Sequence, residues 1–70
     1  MQALSEIRTG AVCTIKWMFG TPEVLEFLHR HQIQEGSTNR VIQNRVENLI
    51  IGTDAYRIVI DSDAAQMIKV

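Results

Sequence analysis

The chain has very little cysteine, proline or glycine, and it has no long apolar run. One cysteine, one proline and four glycines occur among its 70 residues. Because Cys13 is alone, no internal disulfide can form, and this favours the reducing cytoplasm over secretion. No apolar stretch approaches the ~20 residues that span a bilayer. Residues 1–10 contain Glu6 and Arg8 and lack the apolar segment of a signal peptide, so we expect no direct membrane insertion.

An excess of charge of one sign is also missing. Seven Lys and Arg residues stand against eight Asp and Glu residues, for a formal charge of −1. This balance disfavours non-specific nucleic-acid binding, which needs a basic surface. The overall balance still allows a local basic patch formed by Arg40, Arg45 and Arg57. What the chain does have is 46% hydrophobic residues, too many for a disordered protein, and a length that predicts one domain over residues 1–70.

The first half of the chain predicts one strand followed by one helix. Residues 11–19 alternate with a period of two, which indicates a strand. We expect its inward face to carry Ala11, Cys13, Ile15, Trp17 and Phe19. Thr21 is a good N-cap and Pro22 suits the first helical position, so a helix begins there. It should end near His31 or Gln32, and its inward face should be formed by Val24, Leu25 and Leu28.

The second half of the chain predicts short strands joined by turns. Val41–Ile42, Leu49–Ile51 and residues 55–60 indicate strands, and the turn Gly52-Thr53-Asp54 separates the last two. Asp61 or Ser62 caps a short helical turn, and residues 67–70 form the last strand. We therefore predict a mainly β protein, a small barrel of about five strands, because closure removes exposed sheet edges. One helix follows the first strand, and the helical turn precedes the last.

The order and spacing of these elements resemble the FeoA family of ferrous iron transport proteins. The same domain resembles the SH3-like carboxy-terminal domain of DtxR-type iron-dependent repressors. The matching residues are Leu4-Ser5-Glu6-Ile7, Gly10, Ile15, Leu28, Ile33, Gly36, Val41, Ile51-Gly52, Ile58, Ile60, Ala65, Ile68 and Val70. The resemblance implies an SH3-like β-barrel in the cytoplasm that has no enzymatic activity and needs no known cofactor. The partner it implies is FeoB, the membrane-embedded iron transporter with a cytosolic GTP-binding domain.

The sequence departs from the family at the end of the helix. The family usually has glycine immediately before the position of Ile33, where this chain has Gln32. If the backbone there is left-handed, Gln32 is strained by about 1 kcal/mol relative to glycine. His31 stands where the family more often has an apolar residue, and we expect it to be half-buried.

The outer face of the helix is the candidate for a protein contact. Phe27 lies at the margin of the buried stripe and should be partly exposed. With Glu23, Glu26 and Arg30 beside it, it forms the partner-binding set that we predict. A solvated helix face without function explains the same residues. Trp17 and Phe19 are interpreted as core rather than as an aromatic peptide groove.

A transition-metal site is the second hypothesis, and ferrous iron is the ion of interest. The candidate ligands are Cys13, Glu26, His29, His31 and Glu35. Glu26 and His29 are three residues apart and can share a helix face, but two ligands make a weak site. His29 and His31 are two apart and diverge. Cys13 lies on the apolar strand face, where a buried thiol is the common outcome.

Catalytic motifs are absent from the sequence. No glycine is followed by the Gly-Lys pair of a P-loop, and Asp61 with Asp63 is better explained as the cap of a helical turn than as paired carboxylates. We therefore expect no enzyme. The prediction is an interaction module on the FeoB-type transporter that binds no nucleic acid. The alternatives are an SH3-like nucleic-acid-associated domain using the three arginines, and a small metal-binding domain.

Overall fold

The computed structural model describes all residues from Met1 to Val70. It contains six short strands, two helices and one 3₁₀ turn. In chain order these are the 3₁₀ turn Leu4–Glu6, β1 Val12–Thr14, β2 Trp17–Met18, α1 Pro22–Arg30, β3 Thr38–Asn44, β4 Asn48–Gly52, β5 Arg57–Asp61, α2 Ser62–Gln66 and β6 Ile68–Lys69.

The strands form two antiparallel sheets. The larger sheet has four strands in the order β1-β3-β4-β5, and β2 pairs with β6 in a two-stranded ribbon. An isolated bridge between Ala3 and Lys69 adds the amino-terminal segment to the other side of β6. The mainly β architecture with one helix inserted early is confirmed. The hydrogen-bonded ladders do not close into a continuous barrel, because β5 and β1 do not pair.

The predicted strand over residues 11–19 is divided into β1 and β2, because the chain changes its pairing partner at Ile15. The Ile15 N–H donates to the Ser37 carbonyl at 2.9 Å, whereas the next N–H, of Lys16, donates to Lys69 at 2.8 Å. The break explains why there are six strands rather than about five. The helix therefore follows the second strand.

The same break shows that the predicted inward face was wrong for Trp17 and Phe19. Ile15 is buried as expected, but Met18 is the next buried residue. Trp17 is 55% exposed and Phe19 is 46% exposed, and their rings meet edge to face with 5.6 Å between centroids. Inward residues of one strand are two positions apart, but Ile15 and Met18, which belong to different pairings, are three positions apart. Trp17 and Phe19 therefore face outward.

The hydrophobic core lies between the sheets and helix α1. Its twelve buried members are Leu4, Ile15, Met18, Leu28, Ile33, Val41, Leu49, Ile51, Ile58, Ile60, Ala65 and Ile68. Val24, Leu25, Cys13 and Tyr56 pack against it from partly buried positions. The predicted inward face of the helix is thus confirmed, with Leu28 in the core and Val24 and Leu25 packed against it.

Both ends of α1 follow from local sequence. The Thr21 Oγ1 accepts a hydrogen bond from the Val24 N–H at 3.3 Å, and Pro22 is the first helical residue. At the other end the Gln32 N–H donates to His29 at 3.1 Å and the Ile33 N–H donates to Leu28 at 2.9 Å. This pair of bonds is the Schellman motif. It places Gln32 in the left-handed region, with φ of 68°, as the glycine at this position in the family predicts.

Replacing Gln32 by glycine should stabilise the protein by about 1 kcal/mol, because the left-handed conformation costs glycine nothing. A rise of about 4–8 °C in the thermal midpoint follows for a domain of this size. Gln34→Gly is the matched control, since the only non-glycine residue with positive φ is Gln32. The control should lower the midpoint, because glycine adds unfolded-state entropy there. Equal shifts in both variants would contradict the assignment.

Candidate protein-docking surface

The exposed face of α1 carries a paired and an unpaired acidic residue. The Arg30 guanidinium donates to the Glu26 carboxylate at 2.7 Å, one helical turn apart, and both side chains are well exposed. Such a pair contributes about 0.3–0.5 kcal/mol. Glu23, in the first turn, has no ion-pair partner. The face therefore presents one free carboxylate near the amino end and a neutralised pair further along.

Phe27 is held in place by His31. The His31 Nδ1–H donates to the Phe27 carbonyl at 2.8 Å, and the two rings lie 4.4 Å apart between centroids. Phe27 remains 42% exposed, and His31 is half-buried. Both outcomes agree with the sequence analysis. The Phe27 ring thus packs against His31 and stays partly exposed to solvent.

A groove of about 250 Å³ separates α1 from β5 and α2. Its walls are Glu23, Val24, Phe27 and Leu28 from α1, Val59, Ile60 and Asp61 from β5, and Ala64 from α2. Of the four predicted partner-binding residues, Glu23 and Phe27 line this groove, whereas Glu26 and Arg30 lie outside it. Val59 and Asp61 were not among the residues predicted from the sequence, although a valine that alternates with two isoleucines indicates an outward apolar side chain.

The rim of the groove is acidic. Glu23 stands on one side, and Asp61 stands on the other, where its Oδ1 accepts the Ala64 N–H at 2.8 Å and caps α2. No Lys, Arg or His is among the lining residues. Because both carboxylates are exposed, the groove offers an apolar floor with negative charge at its edges.

The metal candidates do not assemble into a cluster. No group of three or more His, Cys, Asp or Glu residues is placed to hold an ion. Glu26 is engaged by Arg30, and the His29 Nε2 lies 3.9 Å from the Glu35 Oε1. Burial raises the pKa of the Cys13 thiol, so the thiolate that a metal prefers is disfavoured at neutral pH. Metal binding at Glu26 and His29 stays a prediction.

A second and larger depression, of about 720 Å³, lies on the outer face of the four-stranded sheet. Arg40 and Arg57 line it, together with Asp54 and Tyr56 of the β4–β5 turn, and the Arg40 guanidinium donates to the Gly10 carbonyl at 3.1 Å. Arg45 is not among the lining residues. The structure therefore places only two of the three arginines of the nucleic-acid alternative in one depression, with an acidic residue beside them.

Comparison with solved structures defines the class of protein as a small, mainly β domain of SH3-like type. The chain superposes with a TM-score of 0.83 on the crystal structure of an iron uptake regulatory protein, FeoA, at 21% identity, covering 94% of this chain and 89% of the other. It also superposes with a TM-score of 0.83 on a manganese-dependent transcriptional repressor, at 24% identity, covering 96% of this chain and 39% of the repressor. These identities establish the shared fold alone.

The particular family follows from the sequence. The model of the FeoA domain family matches residues 2–70, and the chain belongs to this family. No curated protein is a significant match to the sequence. Neither helix has the length and apolar character needed to cross a bilayer.

Proposed function

We propose that this protein is a cytoplasmic accessory protein of ferrous iron uptake, which acts without catalysis by docking on a FeoB-type membrane transporter. Membership of the FeoA domain family supports the link to iron uptake. Residues 1–70 act in this function as one folding unit and need no resident cofactor.

The docking surface of the proposal is the outer face of α1, formed by Glu23, Glu26, Phe27 and Arg30. The observation that carries it is the half-exposed Phe27 ring, held by His31 above an apolar groove. Aromatic side chains, Phe among them, are enriched in protein–protein interfaces relative to the rest of the surface. The Glu26–Arg30 pair beside it supplies polar contacts at the rim, where they affect specificity more than affinity.

A binding measurement on the transporter's cytosolic region tests this function. Phe27→Ala should weaken binding by about tenfold or more, since it removes the anchor. Phe19→Ala is the matched control, because Phe19 has a similar exposure of 46% and directly follows β2 instead of lying on α1. Thermal melts of both variants verify folding. If the wild-type protein does not bind the transporter's cytosolic region, the proposed function is wrong. If the two variants lose equal affinity, the proposed docking surface is wrong.

A further inference from the structure

Strand β5 lies at the edge of the four-stranded sheet, and the backbone N–H and C=O of its central residue, Val59, point away from that sheet. In the β4–β5 hairpin the Thr53 N–H donates to the Tyr56 carbonyl at 3.0 Å, and the Ser62 N–H donates to the Glu47 carbonyl at 3.0 Å. Bonded pairs alternate with unbonded ones in an antiparallel ladder. The intervening bonded pairs are therefore Leu49–Ile60 and Ile51–Ile58. Val59 falls between them, so its N–H and C=O point away from β4.

The free edge at Val59 faces the groove beside α1. The strand order ends at β5, so no other strand of this chain pairs with it there. Val59 and Ile60 form one wall of the groove, and Val24, Phe27 and Leu28 form the other. Unpaired ladder groups thus lie next to an apolar wall, which is the arrangement that receives an extended peptide by strand addition.

The middle of this edge lacks the usual protection against pairing. Natural edge strands are blunted by short length, lysine, proline, bulges or inward charges, or are covered by a helix or loop. Here α1 lies beside β5, but the groove separates the two elements. Here Arg57 and Asp61 occupy the ends of β5, but the central outward residue is Val59, which is 58% exposed. The groove, at about 250 Å³, is also smaller than pockets for drug-sized molecules. Its size fits one or two side chains of a peptide better than a free small molecule.

The charge of the rim selects among peptides. Glu23 and Asp61 flank the groove, and no basic side chain lines it. A segment with Lys or Arg next to its apolar residues complements this rim, whereas an acidic segment is repelled.

We propose that the groove receives an extended, apolar and basic segment of a partner polypeptide, which pairs with the free edge of β5. One apolar side chain of the segment seats between Phe27 and Val59, and a Lys or Arg lies against Glu23 and Asp61. This inference rests on the proposed function, since it names what the α1 docking surface receives.

A synthetic peptide tests the pairing directly. The probe is an acetylated and amidated hexapeptide of alternating lysine and valine, titrated into the ¹⁵N-labelled protein. Saturable shifts should centre on the amides of Val59, Phe27 and Asp61. The same peptide with all of its backbone nitrogens methylated should bind at least tenfold more weakly, because it has no N–H left to donate to the ladder. A peptide with glutamate in place of lysine should show no saturable binding. Equal binding of the methylated and parent peptides would overturn strand addition.

A pair of proline variants shows whether the peptide binds at the β5 edge or at the β1 edge of the four-stranded sheet. Val59→Pro removes an N–H that bonds to nothing in this chain, so an edge strand can tolerate it. We expect it to weaken the lysine–valine peptide at least tenfold. Val12→Pro is the control, since the bonds from Val41 to Ala11 and from Ile15 to Ser37 place the Val12 N–H on the free edge of β1. It should leave binding unchanged, and equal effects of the two would contradict the proposal.

Charge variants decide the question if a proline variant does not fold. Glu23→Gln with Asp61→Asn removes both rim charges, and asparagine keeps the α2 cap. We expect about fivefold weaker binding of the lysine–valine peptide and a smaller dependence on salt. Glu35→Gln with Asp54→Asn removes the same charge at positions that do not line the groove, and it should have no effect. Equal effects of the two pairs would overturn the assignment of the rim.

The outcomes separate this inference from the proposed function. If the wild-type protein and Val59→Pro bind the transporter's cytosolic region equally, strand addition fails and the docking function stands. If the wild-type protein binds the peptide as described but not the transporter, the groove stands and the function fails. A second copy of the chain is the other possible occupant of the groove, and sedimentation of the protein alone tests for it. If the protein forms a dimer that Val59→Pro dissociates, the groove binds a second copy and the proposal is wrong.

Discussion

Gly52→Ala is expected to be strongly destabilising, with a loss of about 3 kcal/mol or more in the free energy of unfolding. A Cβ on Gly52 would lie 2.9 Å from the Arg57 Cα and would overlap the Tyr56 carbonyl oxygen. Both are backbone atoms, so no side-chain rotation can relieve the clash. The β4–β5 hairpin must open, and with it the edge strand that forms one wall of the groove.

Gly36→Ala is the matched control for this result. Gly36 has a φ of 90°, but a Cβ there would meet nothing within 4 Å. Its substitution should cost about 1–2 kcal/mol through backbone strain alone. Thermal melts followed by circular dichroism should therefore place the Gly52 variant well below the Gly36 variant. A Gly52 variant as stable as the control would show that the hairpin is looser than the structure has it.

Leu28→Ala is the second large expected effect, with a loss of about 2–5 kcal/mol. Leu28 is 1% exposed, and it carries the main contact from α1 into the core. Its carbonyl also accepts the Ile33 N–H of the helix end, so the helix cannot move freely to fill the cavity. Because a small domain has a total stability of only about 5 kcal/mol, the variant should retain about 3 kcal/mol or less and unfold at a much lower urea concentration than the wild-type protein.

Leu25→Ala provides the comparison for the helix contact. Leu25 packs against the core from a partly buried position three residues before Leu28, so it loses less contact when truncated. Urea unfolding of the two variants should show a clearly larger loss for Leu28. An unchanged midpoint for Leu28→Ala would mean that α1 is not packed as the structure shows.

Local signals predicted most of the fold, because they act within a few residues. Thr21 and Pro22 determine where α1 begins, and Asp61 caps α2 through the Ala64 N–H. The left-handed residue at Gln32 was readable for the same reason, since a helix end depends on its own last turn. Two of the four predicted docking residues, Glu23 and Phe27, line the groove, and their spacing of four residues places them on one face of α1.

The parts that sequence reasoning missed depend on distant pairing. Inward and outward residues alternate within β1, but the exposure of Trp17 depends on the change of pairing partner from β3 to β6 after Ile15. The groove likewise needs α1 beside β5, and Phe27 and Val59 are brought together by the fold from separate parts of the chain. No local propensity of Val59 indicates that its backbone is unpaired.

The sequence by itself determined where helices and strands begin, which of their faces are apolar and which family the chain belongs to, because these depend on side-chain type and short-range spacing. Only the tertiary structure decided which strand edge stays open and which aromatic rings stay in solvent. The physical reason is that hydrogen-bond partners in a sheet are chosen across the whole chain, and each choice reverses or preserves the face that a residue shows to water.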